Sequence, residues 1–459
     1  GKWLDNKEYS ASNAQKSIGI ASGKAGSTIT NSGNINISTG ENNIGAYTNI
    51  GNVVNSGNIN VTNGQNIGMY VAGTGTGTNT NAGKVTVNSD GSIGLMTTGT
   101  GILTNNGELK VTGGNKEITT VTPTKTIGTI GMTAGVGSTI DSTNGKATID
   151  VTGDKSIGLY SEGTLKIGES TIKTNRDKTD NGAINYFAKD NGKIEVVTGK
   201  TSTATTGQSS LLFYTKGAGK IILNGNINAT IKGGSTPSTR GTAFYYEATP
   251  GTYGAFNTAA IQNYFNTSFG NGSSTLNNLT LNMEDNSRLF IASNVEMNLS
   301  DTAATSLMTG ITNAPTITGS NYKTFMLYLS KLNINQSVDL NDPNNAYNKL
   351  EISNSTIENA NSMTGSLNRQ VAIAQENGND TVGNGYNANK VTLTNTASGV
   401  INLTGDETTG IYAKRGIITN DGQISVGKKS TGIYIVEDDR SPATATLGAK
   451  ATNSSTGVI

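Results

Sequence analysis

The sequence predicts an all-β protein, a parallel β-helix in which each coil of about 23–26 residues stacks on the coil before it. One observation behind this prediction is a phrase that recurs with small changes: NSGNINIS at 31–38, NSGNINVT at 55–62, NAGKVTVN at 81–88, NNGELKVT at 105–112 and NDGQISVG at 420–427. Asn and Gly favour a turn, and apolar and polar residues alternate after them. Each copy therefore predicts a turn followed by a short strand with one apolar face.

A second phrase runs in step with the first. It reads SIGIAS at 17–22, NIGAYT at 43–48, NIGMYV at 66–71, SIGLMT at 92–97 and SIGLYS at 156–161, with shifted forms TGIYAK at 409–414 and TGIYIV at 431–436. The apolar residues that open successive copies are Ile18, Ile44, Ile67, Ile93, Ile127 and Ile157. This spacing predicts coils of two or three short strands, with insertions around residue 127.

The length of the repeat distinguishes between repeat architectures. Propeller blades need about 40 residues and four strands, and leucine-rich repeats need a Leu and Asn pattern with a helical return. Neither pattern is present, whereas stacked coils of a β-helix place each Ile and each Asn over its equivalent below. Side-chain amides of stacked Asn residues can then hydrogen-bond along the axis. At about 4.8 Å between strands, roughly 15 coils would form a shaft about 70 Å long.

Composition is compatible with a thin solenoid and excludes several functional classes. Hydrophobic residues make up 33% of the chain, the mean hydropathy is −0.33, and there are 60 glycines. Such values also occur in disordered chains, but regular alternation favours the solenoid. The net charge is +1 and no basic stripe is present, so no nucleic-acid partner is expected. The absence of cysteine is compatible with export as an unfolded chain.

The phrases predict three regions: β-helix repeats over 1–240, irregular aromatic-rich coils over 241–350, and further repeats over 351–459. Close to half of the aromatic residues lie between 241 and 330. The stretch TAAIQNYFNTSF at 258–269 predicts a short helix, because its large apolar residues are spaced by three and four.

The start of the chain lacks the apolar core of a signal peptide, no run is long enough to cross a bilayer as a helix, and the final TGVI resembles another TGIY unit. We therefore expect a piece of a longer chain, truncated in the middle of a repeat.

Two interpretations of the aromatic-rich region remain open. In the first, wider coils need larger side chains to fill the core. In the second, projecting loops form a recognition surface. The contact residues would then be Tyr245, Tyr246, Tyr253, Phe256, Tyr264, Phe265, Phe269 and Tyr322. The tyrosines of the repeated phrase predict a ladder along one face with a stacking role: Tyr47, Tyr70, Tyr160, Tyr412 and Tyr434.

The residue types limit the chemistry. Without His or Cys, the chain cannot build a Ser-His or Cys-His nucleophile, an HExxH site or a thiolate zinc site. Carboxylates for sugar cleavage occur in EDN at 284–286 and EDDR at 437–440, and oxygen ligands for calcium occur in EDD at 437–439 and in LNDPNN at 340–345. Their patterns are more typical of solvated loops. The sequence therefore predicts no enzyme activity, no metal site and no cofactor.

The combination of SIGLY, TGIYA and NSGNINV at this spacing resembles the passenger repeats of the giant autotransporter adhesins of fusobacteria, the RadD-like group of type Va secretion. The likeness covers 17–230 and 390–459 well and 240–350 poorly. It implies a right-handed β-helical stalk displayed on the cell surface by a C-terminal outer-membrane barrel that lies outside this chain. It also implies adhesion to host-cell glycans or protein receptors and coaggregation with other bacteria. No binding motif of the family can be matched residue by residue.

Two alternatives to an adhesin remain open from the sequence. One is a β-helical polysaccharide lyase or hydrolase, which requires a groove with converging carboxylates and a basic residue. The other is a purely structural spacer whose binding tip lies elsewhere in the parent protein.

Overall fold

The computed structural model describes residues 17–177, 181–270, 273–378, 390–437 and 448–459. It confirms the predicted fold class, because nearly all of the strands pair in parallel in long sheets. The chain forms two compact units. Unit 1 comprises Gly1–Phe244, Tyr264–Ser287 and Thr312–Ser320, and unit 2 comprises Tyr245–Asn263, Arg288–Ile311 and Asn321–Ile459.

In unit 1 the chain winds through three parallel sheets, and a typical coil contributes one strand to each. Sheet 1 contains β1 Ile18–Ser22, β4 Ile44–Thr48, β7 Ile67–Val71, β10 Ile93–Thr97, β15 Ile130–Ala134, β18 Ile157–Ser161, β21 Ile184–Asp190, β24 Leu211–Gly217 and β27 Thr242–Glu247, which starts in this unit. Sheet 2 contains β2 Thr28–Asn31, β5 Asn52–Asn55, β8 Thr76–Asn79, β11 Ile102–Asn105, β16 Thr139–Ser142, β19 Thr164–Ile167, β22 Lys193–Val196 and β25 Lys220–Leu223. Sheet 3 contains β3 Asn34–Ile37, β6 Asn58–Val61, β9 Lys84–Asn88, β12 Glu108–Gly113, β17 Lys146–Thr152, β20 Ser170–Asn175, β23 Thr201–Thr206, β26 Asn226–Ile231, β29 Leu279–Met283 and β32 Thr316–Thr318.

An antiparallel hairpin interrupts the coils of unit 1. Its strands are β13 Lys116–Ile118 and β14 Lys125–Ile127. Ile93 of β10 pairs with Ile130, and Ile127 belongs to the hairpin. The expectation that Ile127 opens a coil is therefore wrong. The local sequence TIGTIGM contains two Ile-Gly pairs, and alternation alone does not distinguish the coil strand from the end of an inserted hairpin.

Unit 2 repeats the same parallel arrangement with shorter sheets. A seven-stranded sheet contains β28 Gly254–Ala255, β31 Val295–Asn298, β34 Lys331–Ile334, β37 Thr356–Asn359, β40 Thr392–Asn395, β43 Ile417–Asn420 and β46 Lys450–Asn453. Beside it lie β35 Val338–Asp339, β38 Ser362–Gly365, β41 Val400–Leu403 and β44 Gln423–Val426. Two three-stranded groups complete the unit: β30 Arg288–Ser293, β33 Lys323–Tyr328 and β36 Leu350–Ser353, then β39 Val371–Glu376, β42 Thr409–Lys414 and β45 Thr431–Val436.

Helices are few and short. The stretch predicted to be helical, 258–269, forms α1 Thr258–Ser268, and a single turn forms α2 Ala304–Met308. Short 3-10 helices span Pro237–Thr239, Ser273–Asn278, Leu299–Asp301 and Tyr347–Lys349. Within the part of the chain that the structure describes, no helix has the length and apolar character needed to cross a membrane.

The predicted ladder of asparagines is present, and all of its members except the terminal Asn453 are buried. In unit 1 each side-chain amide donates to the next carbonyl at 2.8 Å, from Asn31 to Asn55, Asn79 and Asn105. Unit 2 has a second ladder of the same kind, with distances of 2.7–2.8 Å, formed by Asn359, Asn395, Asn420 and Asn453. Stacking like on like satisfies these buried amides, which would otherwise be costly to remove from water.

The glycine of the repeated Ile-Gly phrase has a packing reason. A Cβ atom at Gly68 would lie 2.5 Å from Cγ1 of Val85 and 2.6 Å from the carbonyl oxygen of Gly94 in the next coil. A side chain at this position would therefore clash with the core and with the neighbouring strand, which explains why the phrase keeps Gly after Ile.

Candidate contact surface

Five of the eight residues predicted for a contact surface are buried. Their exposed fractions are 8% or less: Phe256, Tyr264, Phe265, Phe269 and Tyr322. In unit 1 the ring of Phe265 lies 5.2 Å from that of Phe244, and the ring of Phe269 lies 5.0 Å from that of Phe213, both edge to face. These side chains fill the core of wide coils, as the first interpretation of the aromatic-rich region proposed. A direct-contact role is therefore not supported for them.

The other buried rings of the set belong to unit 2. Phe256 packs edge to face against Phe290 and Phe325, with ring centroids 6.3 and 5.9 Å apart. Tyr322 is 8% exposed, and burial raises the pKa of its phenol. In the sequence, the one local signal for core packing was the spacing of the aromatic residues of α1, because a spacing of three and four places them on one face of the helix.

The remaining three predicted residues reach the surface of unit 2. Tyr245 and Tyr246 are half-buried, and Tyr246 stacks on Phe256 with 4.3 Å between ring centroids. Tyr253 is 49% exposed, and its hydroxyl lies 3.4 Å from the hydroxyl of Thr356. Among the eight, Tyr253 offers the largest exposed fraction, and a contact role for these three stays a prediction.

A column of side chains, most of them large, follows the outer face of sheet 1, and we call it the outer ladder. Strand pairing places its members in register: Tyr47, Tyr70, Met96, Thr133, Tyr160, Phe187 and Tyr214. The sequence predicted the tyrosines of the repeated phrase but missed Phe187 and Tyr214. Their strands read INYFAKD and LLFYTKG, in which the glycine of the phrase is replaced. An apolar residue followed three positions later by an aromatic one was the available signal.

Tyr70 and Met96 of the outer ladder are buried, whereas Tyr47 is half-buried. Tyr70 is 9% exposed and Met96 is 2% exposed, in an apolar cluster with Ile44, Ile67 and Ile93. The Tyr47 and Tyr70 rings are 5.3 Å apart, and the Tyr70 hydroxyl is 2.8 Å from that of Thr98. Here the predicted stacking role fits the geometry. In unit 2, Tyr412 and Tyr434 form a similar pair, with ring centroids 5.7 Å apart and Tyr434 52% exposed.

The later members of the outer ladder are half-buried and stack continuously. Ring centroids are 5.0 Å apart between Tyr160 and Phe187 and 4.6 Å apart between Phe187 and Tyr214. The ring planes are tilted by 53° and 37°, between the stacked and the edge-to-face arrangement. Each ring is held by its neighbours while part of its surface faces solvent. This is a rigid apolar strip that a partner can cover.

Charged groups border this strip. The Tyr160 hydroxyl donates to the Glu162 carboxylate, and the Lys189 ammonium lies 3.7 Å from Glu162 and 3.6 Å from Asp190. Burial, together with the hydrogen bond and negative charge of Glu162, raises the pKa of Tyr160. The phenol therefore stays a neutral donor near neutral pH. The strip combines apolar rings with charges of both signs, which suits amphipathic ligands.

The candidate carboxylate sites are occupied by local interactions. Glu284 lies 2.6 Å from the Lys232 ammonium and accepts a hydrogen bond from the Gly233 amide. Burial raises the pKa of Glu284, but the hydrogen bonds from Lys232 and Gly233 outweigh burial and leave it lowered. Of the EDDR stretch, residues 438–440 lie outside the described residues.

The predicted calcium candidate at 340–345 forms turns. The Asp339 carboxylate accepts from the Asn341 amide at 3.0 Å, and the Asp342 carboxylate accepts from the Asn344 amide at 2.8 Å. Both carboxylates therefore accept hydrogen bonds from backbone N–H groups two residues further along the same loop. Across the described ranges, no three Asp or Glu side chains are grouped so that they could hold a metal ion.

No protein-family model matches the chain. No curated protein matches it either.

Proposed function

We propose that this chain is part of the passenger of a bacterial autotransporter adhesin, displayed at the outer membrane, and that it binds host-cell glycans or protein receptors, or partner bacteria, without turnover. The observation that carries the proposal is the later half of the outer ladder. Tyr160, Phe187 and Tyr214 present a continuous strip of rings on the outside of a stacked β-helix, bordered by charges. Aromatic residues in a rigid frame are common anchors of protein interfaces.

The β-helix explains how such a strip would act. Each ring is fixed by parallel strands on both sides, so little conformational freedom is lost when a partner covers it. The affinity of one strip is expected to be modest, because its exposed area is small. Many copies on one cell surface would then act together through a high effective concentration. The surface location follows from the resemblance of the repeats to fusobacterial passengers.

A cell-binding experiment with the full chain tests the proposal. The fluorescently labelled chain is titrated onto human epithelial cells and onto partner bacteria, and bound fluorescence is measured by flow cytometry. We expect saturable binding, weakened about tenfold by Phe187→Ser, since a lost aromatic anchor costs on the order of 1.4 kcal/mol or more. Tyr412→Ser, which removes an outward ring from unit 2, is the matched control and should leave binding unchanged.

The contradicting results separate the alternatives. Absence of saturable binding to every cell type would favour the spacer. Release of sugar fragments from polysaccharides incubated with the chain would favour the lyase or hydrolase. Equal loss of binding in the Phe187→Ser and Tyr412→Ser variants would show that the outer ladder of unit 1 is not the contact surface. Circular dichroism confirms that each variant keeps its strand content.

A further inference from the structure

An open groove of about 350 Å³, lined mainly by polar residues, lies on the outer face of sheet 3, away from the outer ladder. It crosses the middle strands β17, β20 and β23. We call it the polar channel. Its lining consists of Lys146, Ala147, Thr148, Glu169, Ser170, Thr171, Thr201 and Thr203. No aromatic side chain lines it, so it differs in chemistry from the strip on sheet 1.

Strand register explains the shape of the polar channel. Thr148 pairs with Thr171, and Thr171 pairs with Thr203, so three hydroxyls form one wall. The other wall consists of Lys146, Glu169 and Thr201, each of which precedes a residue of the floor column Ala147, Ser170 and Ser202. Three strands span about 10 Å along the axis, at about 4.8 Å from strand to strand.

The polar groups of the walls have no partners within the described part of the chain. The side chains of Lys146, Glu169, Thr148, Thr171 and Thr203 make no hydrogen bond or ion pair with another described residue. In contrast, Lys84 and Glu108 on the same column of sheet 3 form an ion pair of 3.9 Å, and Glu108 is in register with Lys146. The charges of the polar channel are therefore available to a ligand, whereas Lys84 and Glu108 on the preceding strands pair with each other.

The floor of the polar channel is firmly held from beneath. The Ser170 and Ser202 hydroxyls are 2.6 Å apart inside the core, and the Tyr186 hydroxyl lies 2.6 Å from that of Ser202. Tyr186 is fully buried, and its hydroxyl contact ties the floor to the core of unit 1. A backbone fixed in this way presents its outward side chains with little freedom, which lowers the cost of binding.

We propose that the polar channel binds a neutral saccharide of about two sugar units; this deepens the proposed adhesin function and rests on it. Threonine hydroxyls both donate and accept, the ammonium donates and the carboxylate accepts, which matches the hydroxyls of a sugar. The opposite charges of Lys146 and Glu169 cancel, so a neutral ligand fits better than an anion. The volume lies at the lower end of the range for small-ligand sites.

A peptide ligand is less compatible with the same geometry. Peptides in extended form add to a free sheet edge or place side chains in apolar pockets. Strands β17, β20 and β23 all pair on both sides, so they offer no edge. The lining contains no large apolar side chain.

The test uses the full chain and isothermal titration calorimetry with lactose, maltose and cellobiose as probes. The charged comparator is sialyllactose, and the peptide comparator is a Gly-Ser octapeptide. We expect millimolar binding of at least one neutral disaccharide and weaker binding of both comparators. Thr171→Val should weaken binding about tenfold, because it removes a hydroxyl without changing shape. Thr171→Ser should restore it, and Lys146→Met should also weaken it.

Matched controls lie on the same face of sheet 3. Thr86→Val and Lys84→Met remove the same groups from strand β9 and should leave saccharide binding unchanged. The inference is overturned if none of the three disaccharides binds, if Thr171→Val binds as well as the wild type, or if the anion or the peptide binds more tightly. The cell-binding assay on the same variants separates the two proposals. If the chain binds cells but no saccharide, the saccharide site is contradicted and the adhesin function stands. If the chain binds a saccharide but no cells, the adhesin function is contradicted and the saccharide site stands.

Discussion

The early and the late coils of unit 1 use the same backbone positions in different ways. At the end of the sheet 2 strands, the early coils carry the buried amides of Asn31, Asn55, Asn79 and Asn105. The late coils carry Ile167, Val196 and Leu223 at the equivalent register, all buried. Asn105 donates to the Ser142 hydroxyl at 2.9 Å, and Ser142 pairs with Ile167. A small hydroxyl therefore separates a polar column from an apolar one.

The outer ladder shows the same contrast on sheet 1. Tyr70 and Met96 in the early coils are buried in an apolar cluster, whereas Tyr160, Phe187 and Tyr214 in the late coils are half-buried beside charges. A β-helix therefore accepts either a polar or an apolar side chain at a given position, provided that the neighbouring coils carry the same kind of side chain there. A side chain that matches its neighbours above and below is satisfied by them, and a single mismatch is not.

The largest expected effect comes from creating such a mismatch with Val196→Asn. The new amide would stand between Ile167 and Leu223 without a partner, so we expect a loss of about 4 kcal/mol in the free energy of unfolding. Val196→Ala is the control, with a loss of about 2 kcal/mol from the cavity alone. Urea denaturation followed by circular dichroism measures both. If the Asn variant were no less stable than the Ala variant, neighbouring coils would not need side chains of the same kind at equivalent positions.

The second prediction compares the two halves of the outer ladder. Tyr70→Ala removes a buried ring and should cost about 3 kcal/mol, whereas Phe187→Ala removes a half-exposed ring and should cost about 1 kcal/mol. The same denaturation experiment applies. Equal losses would contradict the division of the outer ladder into a packing half and a contact half.

The smallest effect concerns pH. Burial, with the hydrogen bond to Glu162, raises the pKa of Tyr160 above its ordinary value of 10.0. A group with a raised folded-state pKa contributes stability that is complete below its unfolded pKa and lost as pH rises through the folded pKa. The wild type should therefore lose more stability above pH 10 than Tyr160→Phe, which has no phenol to ionise. Urea midpoints at pH 8 and pH 11 measure the difference, and parallel declines would contradict the assignment.

Much of the fold follows from short-range sequence patterns. Alternation located the strands around Ile35, Ile59 and Val85, and recurrence of Asn predicted the amide ladder, because stacked coils place equal residues in register. The spacing of Tyr264, Phe265 and Phe269 predicted α1. The pattern failed at Ile127, where two Ile-Gly pairs lie three residues apart. The isoleucine of the first pair belongs to the hairpin, and that of the second pair opens the coil strand.

The candidate surfaces were less accessible to sequence reasoning. Phe256 and Phe265 look the same in sequence as exposed aromatic residues, yet both are buried. Phe187 was missed because its strand lacks the glycine of the phrase. The polar channel was missed altogether, since threonine and lysine in alternating strands are ordinary surface residues until their neighbours are known.

The repeat, the strand positions and the like-on-like columns follow from the amino-acid sequence alone, because each coil is a template for the next and the pattern is local. Which aromatic residues fill the core, and which form the exposed strip, depends on contacts between coils that are seen only in the folded chain. The same contacts bring Lys146, Glu169 and Thr201 together in one wall. Coils differ in length, so the residues that meet across coils depend on how the insertions between strands are accommodated.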